Sequence, residues 1–144
     1  MHTTRRRRAG GFTLIEIMVV MAIIAMLAAM VGPRIMGALG KSQRQGAAAQ
    51  IERLGAALDT YRLDMGRYPT TQEGLGALVQ PPPNAGRWDG PYLNKTQIPL
   101  DPWDNPYQYR SPGGGGRPYD LFTFGADGAP GGEGDSRDIT SWEG

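Results

Sequence analysis

The chain contains no cysteine and only one histidine, His2. Without thiols, no disulfide can staple the fold in an oxidising compartment, and no thiolate can serve as nucleophile or metal ligand. A single histidine beside the N-terminus excludes a His-rich zinc site and a Ser-His-Asp triad in the folded domain. Basic surface is scarce as well. Of 15 lysines and arginines set against 14 acids, four stand together at Arg5 to Arg8, so the remainder of the chain is net acidic. From Asp120 onward, six acids face one base, Arg137. No basic stripe is available for nucleic acid. The run "SPGGGG" lacks the Lys-Ser/Thr and the strand-loop-helix setting of a phosphate loop. These absences exclude a thiol nucleophile, a histidine-based triad, a phosphate loop and a nucleic-acid surface, and by themselves name no function.

One long apolar run is present. From Phe12 to Val31 the only polar residues are Thr13 and Glu16. As a helix this run covers roughly 30 Å, the thickness of a hydrocarbon core. The arginines ahead of it place the N-terminus in the cytoplasm by the positive-inside bias, so the rest of the chain lies across the membrane. Three readings fit: a secretory signal peptide, a plain membrane anchor, and a processed anchor. Glu16 separates them, because a carboxylate inside a span costs a few kcal/mol and usually marks function. If the chain is cut after Gly11, Phe12 acquires a positive amine four residues before Glu16, on the same helix face. In a bundle of identical helices, Glu16 of one subunit then pairs with the Phe12 amine of a neighbour. Gly10-Gly11 offers a peptidase an unhindered segment.

The stretch "GGFTLIEIMVV" resembles the processing signal of type IV pilins and of type II secretion pseudopilins. That resemblance implies cleavage between Gly11 and Phe12 by a prepilin peptidase, N-methylation of Phe12, and assembly through Phe12 and Glu16.

Pro33 would ordinarily kink or stop a helix. No polar loop follows it, so the helix is expected to continue to Gly66, a glycine suited to the C′ position. Ile51, Leu54, Leu58, Tyr61 and Met65 recur at steps of three and four, one apolar stripe opposite Gln50, Arg53, Asp59 and Arg62. Most of the 22 glycines and 12 prolines follow Gly66, which predicts a loop-rich second half. A short amphipathic helix is expected over Thr71 to Val79, although Thr71 has Gly74 where a capping box needs Glu. Trp88, Tyr92 and Trp103 read as anchors pinning a long loop to a small core. "YQYRS" and "YDLFTFG" alternate and predict a β-hairpin, with "DITSWE" as a third strand. The fold class is therefore α+β.

The second half resembles the major pseudopilin (G-subunit) family of the type II secretion system through "LDTYRLDMGRYPTT", "PYL", "DPW", "NPY" and "YDLFTFGADG". The resemblance runs from Ala9 onward. It departs at Asp104, where the family usually has Gly and a local turn is expected to change, and at "ITSW" in place of "IGNW". It implies a structural protein with no catalysis of its own and a pilin-like fold: a long N-terminal helix, membrane-spanning in its first half, packed on a small antiparallel sheet and a loop-rich C-terminal domain. The segments it implies are a leader over 1–11, a membrane or filament-core helix over 12–32, its amphipathic continuation over 33–66 and a periplasmic domain over 67–144. The implied location is the inner membrane, single-pass, and after assembly a periplasmic filament. The implied partners are further copies of the chain, minor pseudopilins, the prepilin peptidase, an inner-membrane platform with its ATPase, and an outer-membrane secretin. An adhesive or DNA-uptake type IV pilin fits less well, for want of a C-terminal cysteine pair and a basic patch. A non-polymerising membrane-anchored calcium-binding module leaves the Gly11-Phe12 junction unexplained.

The loop "FGADGAPGGEGDSRDITSW" carries Asp127, Glu133, Asp135 and Asp138 among five glycines. Calcium wants six to eight oxygens, and the spacing is not that of an EF-hand. On residues alone, a solvated acidic loop and a hard-cation loop both stand. The pseudopilin resemblance implies a calcium site with carboxylates from Asp127 and Asp138 and carbonyls from Phe124 and near Ala129. Asp135 is offered as a further oxygen donor in that scheme, and the variable length of the loop leaves both Glu133 and Asp135 ambiguous.

Overall fold

The computed structural model describes residues 10–143; the leader arginines Arg5 to Arg8 lie outside them. Helix α1 spans Leu14–Met65 and runs through Pro33. The chain forms two compact units, Met1–Ala38 and Leu39–Gly144, so the boundary between them falls inside α1.

In the first unit every large apolar side chain from Phe12 to Val31 is exposed. The helix is long and apolar enough to cross a membrane, and the apolar window buries nothing against the protein itself. An isolated helix in water would have no reason to carry such a surface, since helix stability normally comes from packing one face.

The second unit takes its core from the rest of α1. Ile51, Leu54, Leu58 and Tyr61 are buried and Met65 half-buried, as the stripe predicts, with Ala47 and Ala57 beside them. The helix ends at Gly66, whose φ is +76° and whose N–H donates to the Arg62 carbonyl at 2.8 Å. Strands β1 (Gln108–Arg110), β2 (Asp120–Thr123) and β3 (Ile139–Thr140) form an antiparallel sheet in the order β1-β2-β3. Tyr109 pairs with Leu121, Arg110 with Asp120, and Thr123 with Ile139. The hairpin and the third strand stand where the alternating runs place them. Leu121 and Tyr107 join the helix stripe in the core. Two of the three anchors pack on the core as expected: Trp88 Nε1 donates to the Ala77 carbonyl at 2.8 Å, and the Tyr92 hydroxyl to Asp64 at 2.9 Å, whereas Trp103 is half-buried and stands outside the core cluster.

The helix expected over Thr71 to Val79 is only a 3₁₀ turn, Leu75–Leu78. Gly74 precedes it at φ 60° and ψ −166°, which no helix accommodates. A capping box does exist, one residue earlier, at Thr70-Thr71-Gln72-Glu73. Thr70 N–H donates to Glu73 Oε2 at 2.8 Å, and Glu73 N–H to Thr70 Oγ at 3.2 Å. Glu73 also takes both Arg67 nitrogens, at 2.7 and 2.8 Å.

The Arg67 fork, and then the Thr70 N–H, hold the Glu73 carboxyl down from 4.5 to about 2. A depressed folded pKa means stability that is present above pH 4.5 and is lost as pH falls from there towards 2. Because Arg67 is half-exposed, the pair is worth only about 1 kcal/mol. Glu73→Gln is expected to cost about that much at neutral pH and to flatten the loss between pH 4.5 and 2. Melting curves across that range, wild type against variant, check it; parallel curves would remove the assignment.

Candidate functional site

Two regions carry the residues singled out in the sequence. The first is the N-terminal junction. Gly10, Gly11 and Phe12 are exposed, Phe12 at 86%, and lie ahead of the first helical residue, Leu14. The Gly11–Phe12 bond therefore sits in non-helical chain that a peptidase can extend. Thr13 N–H donates to Glu16 Oε2 at 2.7 Å and Glu16 N–H to Thr13 Oγ at 3.3 Å. This is a second capping box: Thr13 is the N-cap of α1, and Glu16 supplies the reciprocal acceptor near the positive end of the helix dipole. Thr13-Leu14-Ile15-Glu16 has the Thr-x-x-Glu spacing, so the box is readable in the sequence itself. Glu16 thus has a partner inside its own subunit while the amine of Phe12 is still tied up in the peptide bond to Gly11.

The second region is the loop between β2 and β3. The buried Asp101 sets its base: Oδ1 accepts the N–H groups of Trp103 and Asn105 at 2.9 and 2.8 Å, and Oδ2 accepts the Thr123 hydroxyl. Asp104, in this turn, has φ 63°. That is glycine territory which Asp tolerates better than most residues, so the turn accommodates an aspartate here. Asn105 Nδ2 reaches on to the Gly125 carbonyl at 3.3 Å. The Ala126 N–H donates to the Asp135 carbonyl at 3.0 Å and closes the loop into a ring. At the neck, a Cβ on Gly125 would stand 2.8 and 2.9 Å from the carbonyl oxygens of Arg137 and Asp135, so only glycine fits. All five glycines of the loop take positive φ, which lets the short ring turn on itself.

Within the ring, Asp127 Oδ1 accepts the Ala129 N–H at 3.1 Å. Both oxygens of Asp138 share the Gly131 N–H, at 3.0 and 3.1 Å. These bonds leave lone pairs on two carboxylates of one closed ring. Phe124 leaves β2 directly into the ring and stacks edge-on against Phe122, with centroids 5.3 Å apart. Glu133 is exposed, and its carbonyl accepts the Ser136 N–H at 3.1 Å. Asp135 is placed differently: its carboxylate lies against Gly40 of α1. Among the described residues, no three Asp, Glu, His or Cys side chains converge as a metal cluster. What the ring offers is two carboxylates and backbone carbonyls, an all-oxygen donor set whose chemistry fits a hard cation and not a soft one.

A third feature was missed altogether. Asp120 is fully buried, yet it accepts from Arg110 at 2.5 Å, from Arg117 at 2.8 Å and from the Gly114 N–H at 3.0 Å. The hydrogen bond from Arg117 Nε above all holds its carboxyl well below the usual carboxylate range, against the opposing effect of burial. The glycine-rich run rejected as a phosphate loop thus wraps a carboxylate of its own chain.

A family model described as type II secretion system, protein G, matches residues 34–142, and one for the prokaryotic N-terminal methylation motif matches residues 6–32. The chain is 48% identical to the type II secretion system core protein G of Pseudomonas aeruginosa, over 96% of this chain and 99% of that one. To the core protein G of Vibrio cholerae it is 46% identical, over 96% and 94%. Among solved structures, the major pseudopilin from the type 2 secretion system of enterohaemorrhagic Escherichia coli superposes with a TM-score of 0.60 at 42% identity, covering 76% of this chain and 95% of that one.

Proposed function

The chain belongs to the protein G family of the type II secretion system, and from that membership we propose that it is the major subunit of a pseudopilus, a periplasmic fibre that drives folded proteins across the outer membrane. The observation that carries the proposal is the first unit: a helix with an exposed apolar surface from Phe12 to Val31, preceded by an accessible Gly11–Phe12 bond. One surface serves twice, first against lipid and then against other copies. A head-to-tail contact repeated without closure makes a fibre. Prepilin peptidase cuts at Gly11 and methylates Phe12. The membrane platform and its ATPase add subunits, minor pseudopilins join the fibre, and the outer-membrane secretin is its exit. The N-terminus stays cytoplasmic and the second unit stands in the periplasm. The test is production together with the peptidase and the platform. Fibres should form, built of a chain that begins at Phe12 and is one methyl group heavier than its sequence. A mature chain retaining the leader, or an unprocessed monomer, would overturn the proposal.

The β2–β3 ring is the calcium site in this reading, with Asp127 and Asp138 as carboxylate ligands and the carbonyls of Phe124 and Ala129 beside them. Bound calcium would offset the negative charge of the ring and tie its two sides together. A cation at a hundred times its dissociation constant adds about 2.7 kcal/mol to the folded state. Chelation is therefore expected to lower the melting temperature of the wild-type chain and to leave Asp138→Ala unchanged. Equal wild-type melting temperatures with and without calcium would sink the site.

A further inference from the structure

Gly40 is the first residue along α1 to be buried, and what covers it is the carboxylate of Asp135. A Cβ at this position would overlap both carboxylate oxygens, so the contact exists only because residue 40 is glycine. Gly32 and Gly37, earlier in the helix, have open space where a Cβ would stand. Four residues beyond Gly40, on the same helix face, Arg44 has a buried Nε without a hydrogen-bond partner. A carboxylate pressed on a glycine Cα gains weak C–H···O contacts, and here it also brings negative charge within a helical turn of a guanidinium. The backbone of Asp135 meanwhile closes the ring through its carbonyl bond to Ala126. One residue therefore faces both ways: its main chain closes the ring and its side chain rests on α1.

We propose that Asp135 is a positioning residue and not a cation ligand: it fastens the acidic ring to α1 at Gly40, so that Asp127 and Asp138 are presented by a loop already held against the helix. The fastening stands on the Gly40 contact alone. Its consequence for affinity rests on reading the ring as a calcium site.

The experiment uses the full chain in detergent and two readouts. One is amide hydrogen exchange of residues 125–138 with calcium chelated; the other is calcium affinity by titration. Gly40→Ala favours the helix by propensity, so it folds. It and Asp135→Ala should each speed exchange in the ring while leaving the core amides of Leu54 and Leu58 unmoved. Each should weaken calcium binding about tenfold, the usual cost of losing a group that orients metal ligands. Their double variant should be no worse than either alone, since both remove one contact. Asp138→Ala should abolish binding and, in the chelated state, speed exchange only at Gly131, whose N–H it accepts, while the Ala126 amide that closes the ring stays slow. Unchanged ring exchange in both Gly40→Ala and Asp135→Ala would overturn the fastening. So would a loss of binding in Asp135→Ala with Gly40→Ala at wild-type affinity, which would make Asp135 a ligand. If the wild type binds no calcium, the cation reading falls, and the exchange rates still decide the fastening.

Discussion

Asp120→Ala will lower the stability of the second unit by about 3 kcal/mol, near the bottom of the range for breaking a buried ion pair. The carboxylate is fully buried and accepts three hydrogen bonds, two of them from guanidinium groups. Removing it leaves the Gly114 N–H without its acceptor and two cations without their counter-charge. The loss stays moderate because the Arg110 side chain is 61% exposed and Arg117 35%, so both can turn to water. Asp120→Asn keeps the shape and part of the hydrogen bonding, and should cost about half as much. For a domain of this size, 3 kcal/mol is roughly 10–20 °C in melting temperature. Thermal melts followed in the near-ultraviolet signal of the tyrosines check it. A shift of only a few degrees for Asp120→Ala would show that the arginines and the glycine loop hold themselves in place. The sign with pH follows from the depressed carboxyl. Its contribution is complete above the ordinary carboxylate range and declines only in acid below it, so the deficit of the variant is constant across neutral pH.

Glu16→Ala will leave cleavage at Gly11 intact and abolish fibres. The scissile bond precedes the helix and does not involve Glu16, so the peptidase still reaches it. Two losses then fall on the mature chain. The capping box disappears, worth about 1 kcal/mol. In the proposed fibre, the carboxylate that would balance the new Phe12 amine of a neighbour disappears too, and an unpaired charge in the apolar phase costs a few kcal/mol. Since every 1.4 kcal/mol is tenfold in an equilibrium constant, fibres should fall by at least about tenfold. Glu16→Gln separates the two roles. Glutamine serves in a capping box as glutamate does, so it keeps the bond from Thr13 N–H while losing the charge. If the pairing across subunits is what assembly needs, the glutamine variant fails as well. Wild-type fibre yield from Glu16→Gln would assign the residue to the cap alone; wild-type yield from Glu16→Ala would remove it from assembly altogether. Fibre counts against the amount of processed subunit make the measurement.

Several features were legible because they depend on neighbours in the chain. The stripe from Ile51 to Met65 names its own buried face at any helix length, and Gly66 ends the helix because few other residues take its φ. Pro33 did not interrupt α1, in keeping with the absence of a polar loop after it. The strands followed from alternation. The Thr71 to Val79 helix failed because Gly74 adopts a conformation that no propensity argument anticipates. The two Thr-x-x-Glu boxes at Thr13 and Thr70 are local as well, since each is closed by residues three apart in the chain.

What the sequence by itself determined is the Gly-Phe junction ahead of an apolar run, the apolar first unit, the α+β order and the acidic composition of the last loop. Each is a local property, set by residue type and period along a few turns or strands. Only the tertiary structure decided what the acids do. Asp120 turns inward because the β1–β2 register sets it opposite Arg110 while the glycine loop returns Arg117 to the same point. Asp101 becomes the base of the ring by reaching Thr123 across the fold. Asp135 leaves its neighbours Asp127 and Asp138 for a glycine on α1. A carboxylate reads the same in sequence whether it is hydrated, paired or pressed against a helix, because its energy is set by the groups that folding brings to it.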